Sequence, residues 1–311
     1  MSILEDLKSV KAGGDSILSI GVFDGVHLGH QHLINNLVLQ AREDDRYSGI
    51  VTFREHPAVT LRSDFEPQYV TTLENRLRLL RELGTNFVVP ITFDTELSNL
   101  SVVNFLEMLQ NHLRMKGLVV GPDFAMGKGR EGTIDRLEVL GGEMGFSLTV
   151  VENLTLNRDE AVRSTNVRNA LMAGDVHTVR SQLGRSYSLT GKVIKGAGRG
   201  SQLGFPTANI EVPAELAIPA DGIYACYTNL EGQPLMAAVS IGTRPTFKDQ
   251  GHAIEVFILD YTGALYDRVL TIEFVQRIRG QEKYETVKAL QNQVNKDVVR
   301  TREILASTAV G

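Results

Sequence analysis

A single cysteine, Cys226, stands among 311 residues, so no intramolecular disulfide can form and a reducing, cytoplasmic setting is expected. Long apolar runs are missing as well. No stretch approaches the roughly 18 residues that a membrane-spanning helix needs, and MSILEDLKSV places acids before any apolar segment. An excess of basic residues is also absent: 32 Lys and Arg face 37 Asp and Glu, a net charge of -5. A nucleic-acid scaffold normally needs surplus positive charge to neutralise phosphates, so neither nucleic acid nor membrane is expected as a partner, and any anionic ligand has to be held locally. No repeat or low-complexity segment appears. What is present is globular: 42% hydrophobic and 22% charged residues are enough to bury real cores. The length exceeds what one core usually serves, which favours two domains.

The patterns change along the chain. Up to about Gly184, β-rich runs (SILSIGV from 16, YSGIVTF from 47, NFVVPITF from 86, GLVVG from 117, FSLTVVENL from 146) alternate with helical stretches. Each run is too apolar to have a wet face, as in a parallel sheet. Leu33, Ile34, Leu37, Val38 and Ala41 form a helical stripe after the first run. Thr71 with Glu74 reads as a capping box for a second helix that stops at Gly84. A third helix carries Val102, Leu106, Leu109 and Leu113 and is expected to end at Gly117. Beyond Tyr187, six closely spaced runs separated by turn residues predict a small antiparallel barrel or sandwich, closed by a helix over 286–305. The expected fold is thus α/β followed by β: a Rossmann-like parallel sheet domain over 1–185, then a β domain with a terminal helix over 186–311.

The first apolar run ends in Gly21-Val22-Phe23-Asp24-Gly25-Val26-His27-Leu28-Gly29-His30 and passes into a helix. A strand-to-helix turn at the carboxyl edge of a parallel sheet is a ligand site, and the helix N-terminus offers free amide donors to phosphate. His27 and His30 would stabilise charge developing on phosphoryl oxygens, and Gly29 would let the backbone approach them. The helix dipole disfavours imidazolium while a bound triphosphate favours it, and the triphosphate is expected to prevail. A metal pair and a structural turn are the other readings of this spacing. Asp123, in Gly121-Pro122-Asp123-Phe124-Ala125-Met126-Gly127, fits an ordinary Asx-capped turn on residue type alone. In Arg163-Ser164-Thr165-Asn166-Val167-Arg168, Ser164 or Thr165 can cap the following helix and Arg168 can clamp phosphate. Gly127-Lys128 is not a P-loop, because Gly129 stands where the magnesium-binding hydroxyl belongs.

In the second half, Gly196, Gly198, Gly200 and Gly204 punctuate a loop whose amides can wrap phosphate, ending in Phe205-Pro206-Thr207-Ala208-Asn209. Thr207 and Asn209, two apart, share a face. Glu255 is a lone acid within an apolar run. An unpaired carboxylate is costly to bury, and a half-exposed strand with Glu255 in solvent is the plainer arrangement.

GVFDGVHLGHQHLI resembles the signature of the HxGH nucleotidyltransferases. Together with the GPDFAMG and STNVR segments it is similar to the adenylyl-transfer module of bacterial bifunctional riboflavin kinase/FAD synthetases. GAGRGSQLGFPTAN closely resembles that family's kinase motif, and Gly242-Thr243-Arg244-Pro245-Thr246-Phe247 its flavin loop. The resemblance runs from about Ile17 to Leu305. It implies that riboflavin is phosphorylated to FMN, and FMN adenylylated to FAD, with ATP and magnesium; the flavins are substrates and products, not prosthetic groups. By resemblance, Gly21, Phe23, Gly29, Asp123, Ser164 and Thr165 serve ATP in the first half, with His27, His30 and Arg168 catalytic. In the second half, Gly196, Gly198, Gly200, Gly204 and Pro206 serve ATP, Thr207 and Asn209 bind magnesium, Arg244, Pro245 and Thr246 bind flavin, and Glu255 is the general base. A monomer or weak homo-oligomer is expected. Departures are Met126 for an aromatic, Arg163 for Ser, Ser240 for Asn, Phe257 for His, and Arg54-Glu55 within Thr52-Phe53-Arg54-Glu55-His56-Pro57, a loop expected on the flavin side. Arg54 and Glu55 motivate an alternative, chiefly a riboflavin kinase with weak or lost adenylyl transfer. A non-catalytic flavin-binding regulator is the other.

Overall fold

The computed structural model describes residues 3–156, 160–196, 200, 204–230, 232–243 and 252–308. They form two compact units, Met1–Ser164 and Thr165–Gly311.

In the first unit β1 (Ser16–Gly21), β2 (Tyr47–Phe53), β3 (Phe87–Ile91), β4 (Met115–Val120) and β5 (Ser147–Val150) make a wholly parallel sheet, ordered β3-β2-β1-β4-β5. Helix α1 (Ile3–Lys8) precedes the sheet, and between the strands run α2 (Leu28–Glu43), α3 (Pro57–Leu61), α4 (Leu73–Glu82), α5 (Thr95–Ser98), α6 (Val102–Leu113) and α7 (Ile134–Met144); a short ribbon, β6 (Thr155–Leu156) with β7 (Glu160–Ala161), follows. The period of two explains the unbroken apolar runs. Leu18, Ile20, Val51, Val89 and Val120 join one core with Phe105, Leu106 and Leu109 of α6. Their neighbours Ile17, Ile50, Val88 and Val119 join the other, with Ile34, Leu37 and Val38 of α2 and Leu80 of α4.

Two expected helix boundaries shift. Thr72, not Thr71, caps α4, its hydroxyl accepting the Asn75 N–H at 3.2 Å. Thr71 is engaged elsewhere, by Asp24 and Gly25. Helix α6 ends at Leu113, with Arg114 in the left-handed conformation at φ 53, and Gly117 lies inside β4, where a Cβ would stand 2.6 Å from Ser147 Oγ. That glycine answers to the neighbouring strand, not to a helix end.

The second unit opens with α8 (Ser164–Ala173, of which Ser164 packs with the first unit) and α9 (Val176–Leu183). Strands β8 (Tyr187–Ile194), β9 (Ala208–Glu211), β10 (Gly222–Leu230), β11 (Gln233–Thr243), β12 (His252–Ile258) and β13 (Val269–Arg279) close a barrel in the order β10-β11-β12-β9-β8-β13, every pairing antiparallel. Of the two expected architectures this is the barrel. Alternation again sorts the residues: Ile210, Val239, Ile241, Ile254 and Val256 are buried, while Ser240 and Glu255 between them face outward and are half-buried. Tyr224 is wholly buried against Phe274 and donates its hydroxyl to the Ala220 carbonyl, and burial pushes its pKa up to about 12. It is a core residue. Cys226 is buried too, and burial pushes its thiol well up, away from the reactive thiolate. Helix α10 (Val287–Thr308) is fastened to the barrel by Arg279, whose guanidinium forks onto the buried Asp297 at 2.7 to 3.2 Å.

Candidate active sites

Strand order reverses between β1 and β4, so the loops leaving these two strands diverge and open a crevice beyond their carboxyl ends. Two of the motifs leave from those ends: 22–29 after β1 and 121–127 after β4. The first is contorted. Phe23 (φ 53), Gly25 (φ 78) and Val26 (φ 41) are all left-handed, and such a conformation at a non-glycine residue costs on the order of 1–2 kcal/mol. The strain is offset by Asp24, a buried carboxylate that accepts the Val70 N–H at 2.9 and 3.0 Å and the Thr71 N–H at 3.2 Å. Arg76, 1% exposed, donates to the carbonyls of Val22 at 3.0 Å, Phe53 at 2.6 Å and Arg54 at 3.1 Å. Burial lowers its pKa, with Asp24 partly restoring it. Nothing in the sequence marks either residue for this role; only burial, 3% exposure for Asp24 and 1% for Arg76, singles them out.

His27 caps α2 by accepting the His30 N–H at Nδ1 (3.3 Å), and the two imidazoles stack with centroids 3.6 Å apart and 18° between planes. Phe23, in the core beneath, meets the His30 ring edge-on at 5.3 Å. Gly21 lies flush against the Phe23 ring, and a Cβ on Gly29 would stand 3.0 Å from the Val162 carbonyl and 3.2 Å from the His27 ring. Gly29 therefore permits the packing of the histidine turn as well as any close approach of a ligand. Nδ1 of His30 is buried with no hydrogen-bond partner. Burial first, then His27 and Arg76, holds the His30 pKa well below its usual 6.5, so the ligand-free ring is neutral at neutral pH.

The Ser164 hydroxyl donates to the Asp24 carbonyl at 3.0 Å and ties this segment to the histidine turn. Thr165 and Arg168, in the second unit, approach each other at 3.5 Å. Asp123 is exposed and paired with Arg163 at 2.9 Å, while its carbonyl accepts from Arg130 at 3.1 Å. It stands at the rim of a cavity of about 550 Å³ walled largely by apolar groups, among them Ile20, Phe53, Leu97, Phe105 and Met126, with Gly21 and Val22 on the β1 side. His56 and Pro57 line this cavity; Arg54 and Glu55 do not. Arg54 turns away to Asp6, 0% exposed, at 2.9 Å.

On the barrel, Asn209 of β9 lies directly opposite Glu255 of β12, which lies opposite Ser240 of β11. Thr207 precedes β9 by one residue. The glycines fit close against these residues: a Cβ on Gly196 would collide with the Asn209 amide, and one on Gly200 with the Phe205 carbonyl while standing 3.0 Å from Thr207 Oγ1. Gly204 is left-handed at φ 87 and Pro206 is exposed. Glu255 is not buried in the core; the strand's alternation sets it on the outer wall. Gln281 donates to Ser240 Oγ at 3.1 Å. Gly198, Arg244, Pro245 and Thr246 lie outside the described residues.

Two family models match the chain in order, FAD synthetase over residues 10–166 and riboflavin kinase over 183–305. A bifunctional riboflavin kinase/FMN adenylyltransferase of Bacillus subtilis is 34% identical, the match covering 91% of this chain and 90% of that protein. The Escherichia coli K12 protein of the same description is 33% identical, with 94% and 93% covered. Among solved structures, one described as a macrolide-efflux protein from Streptococcus pneumoniae superimposes with a TM-score of 0.88 at 27% identity, covering 95% of this chain and 96% of that one. Among the described residues here, no helix is long and apolar enough to cross a membrane.

Proposed function

This chain belongs to the bifunctional riboflavin kinase/FMN adenylyltransferase family, and from that membership we propose how its residues divide the two reactions. The enzyme phosphorylates riboflavin to FMN and adenylylates FMN to FAD, with ATP as the second substrate of each step.

For adenylyl transfer, the FMN phosphate attacks the α-phosphorus of ATP and pyrophosphate leaves. Negative charge grows on the phosphoryl oxygens and the leaving group. His27, His30 and the amides opening α2 are donors fixed before reaction, which lowers the barrier more than mobile water does. Gly21, Phe23 and Gly29 shape that turn, Asp123 meets the substrates at the rim, and the roles toward the triphosphate fall to Ser164, Thr165 and Arg168. The cavity, within the size range of ligand pockets, takes the isoalloxazine. The carrying observation for this half is the unpartnered Nδ1 of His30 in a buried turn at the switch point of the sheet.

For the kinase step, Glu255 takes the proton of the ribityl hydroxyl as that oxygen attacks the γ-phosphorus. The loop of Gly196, Gly198, Gly200, Gly204 and Pro206 receives ATP, and Arg244, Pro245 and Thr246 receive riboflavin. Thr207 and Asn209 would hold magnesium: two neutral oxygen donors beside a backbone cradle that a Cβ would fill suit a hard ion completed by phosphates and water. When bound, the ion neutralises charge on the transferring phosphoryl group. The Asn209–Glu255 pairing supports this division of roles. We read 1–185 as the adenylyl-transfer domain and 186–311 as the kinase, in a cytoplasmic monomer or weak homo-oligomer.

Incubation with riboflavin, ATP and magnesium, followed by chromatography of the flavins, is expected to yield FMN and then FAD; FMN accumulating without FAD would sink the adenylyl-transfer assignment. The kinase-only alternative rested on Arg54-Glu55, and the Arg54 guanidinium is committed to Asp6. Arg54→Ala is accordingly expected to leave the KM for FMN within about twofold, as for a site without direct contact. Its effect falls on the fold, with about 1–3 kcal/mol lost because the buried Asp6 loses its charged partner. Thermal unfolding and FAD-formation kinetics check the pair of outcomes.

A further inference from the structure

Consecutive side chains at 163 and 164 reach in two directions. Ser164 Oγ holds the Asp24 carbonyl in the histidine turn at 3.0 Å; the Arg163 guanidinium holds the Asp123 carboxylate at the cavity rim at 2.9 Å. One short segment thus joins the place where an apolar ring system fits to the place where phosphates react. Arg130, a second guanidinium on the rim, donates to the Asp123 carbonyl at 3.1 Å and itself adopts the left-handed conformation at φ 63. Asp123 therefore sits between two arginines. Its pair with Arg163 is solvent-exposed on both sides, 57% for Arg163 and 68% for Asp123. An exposed pair of this kind contributes little to stability and exchanges readily for a stronger anion. Arg, with its forked donors, suits a phosphate monoester better than a single carboxylate oxygen.

We propose that Arg163 is the group that recognises the terminal phosphate of the flavin mononucleotide, leaving Asp123 for that phosphate on binding and so discriminating phosphorylated from unphosphorylated flavin at the adenylyl-transfer site. The proposal rests on the reading that the cavity takes the isoalloxazine ring. With the ring in the cavity, the ribityl tail leaves through the rim toward Gly21 and Val22, and its phosphate passes Arg163 before it reaches the histidine turn. Riboflavin ends in a hydroxyl and gains nothing from that guanidinium.

The test uses the full chain carrying Glu255→Gln, so that riboflavin is not turned into FMN, and follows FAD formation from supplied FMN with riboflavin added as a competitor. In Arg163→Ser the KM for FMN is expected to rise about tenfold, the loss of one charge-assisted contact, while the inhibition constant of riboflavin stays within about twofold. Arg163→Lys recovers part of the loss. In the parent enzyme the KM for FMN rises with ionic strength, and Arg163→Ser flattens that rise, because a screened charge contact is gone. If the FMN and riboflavin constants move together, or neither moves, Arg163 does not read the phosphate and the proposal is overturned. Ala58→Trp, which fills the cavity, separates the two layers of the argument. It is expected to weaken FMN and riboflavin alike; if it weakens neither, the placement of the flavin ring is wrong and the role of Arg163 falls with it.

Discussion

Glu255→Gln is expected to cut FMN formation from riboflavin by about 10²–10⁴, the usual contribution of a positioned general base, and to leave FAD formation from supplied FMN unchanged. The substitution keeps shape and hydrogen-bonding capacity but removes the proton acceptor. Glu255 is half-buried on the barrel's outer wall, so the amide is accommodated at little cost to the fold, and the KM for riboflavin should move far less than kcat. Asn209, directly opposite on β9 and 7% exposed, keeps its place, so magnesium dependence persists in the residual rate. Retention of more than a tenth of the kinase rate would remove Glu255 from the role of base. Loss of both activities would argue against separate chemistry in the two halves. A matching thermal midpoint for variant and parent establishes that the effect belongs to the site.

How much of this was legible beforehand depended on whether a feature is local. The parallel sheet showed itself because strands covered on both faces read as unbroken apolar runs: Ile17 and Leu18 are neighbours in sequence yet join different cores. The barrel showed itself through close strand spacing, but barrel and sandwich share that spacing, and only the β10–β13 pairing closes the ring. Glycine rules worked where a glycine answers to its own backbone and failed where it answers to a distant neighbour, as Gly117 does to Ser147. The motifs are legible because their spacing is short-range. The residues that hold the motifs are not: Asp24 binds Val70 and Thr71, 46 and 47 positions away, and Arg76 binds the Val22 carbonyl 54 positions back. No window of sequence contains such a pair. The Arg54-Glu55 departure also looked more consequential than its surroundings make it, because its partner Asp6 lies 48 residues upstream.

His30→Ala produces the mirror image of the Glu255 result: FAD formation falls by about 10²–10³, the scale of one preorganised donor to a developing oxyanion, and riboflavin phosphorylation continues. The structure adds a pH signature to that expectation. In the free protein the ring is held neutral by burial, by His27 and by Arg76, whereas a triphosphate beside it favours imidazolium. Binding ATP at this site then takes up a proton, so the KM for ATP in FAD formation should decrease as pH is lowered from about 8 toward 6.5, near the ordinary histidine pKa. His30→Ala should abolish that slope, and a slope that survives would mean the proton is taken up elsewhere. Stability moves the opposite way. A histidine whose folded pKa lies below its unfolded value binds fewer protons in the native state, so its contribution is intact above the ordinary 6.5 and is lost as pH falls from there toward the folded value. Thermal midpoints of the ligand-free enzyme should therefore decline below 6.5 more steeply than those of His30→Ala. The same imidazole that destabilises the empty protein in acid is then the one that ATP charges, so the two measurements, one on folding and one on catalysis, must change together in this variant if His30 is the group responsible.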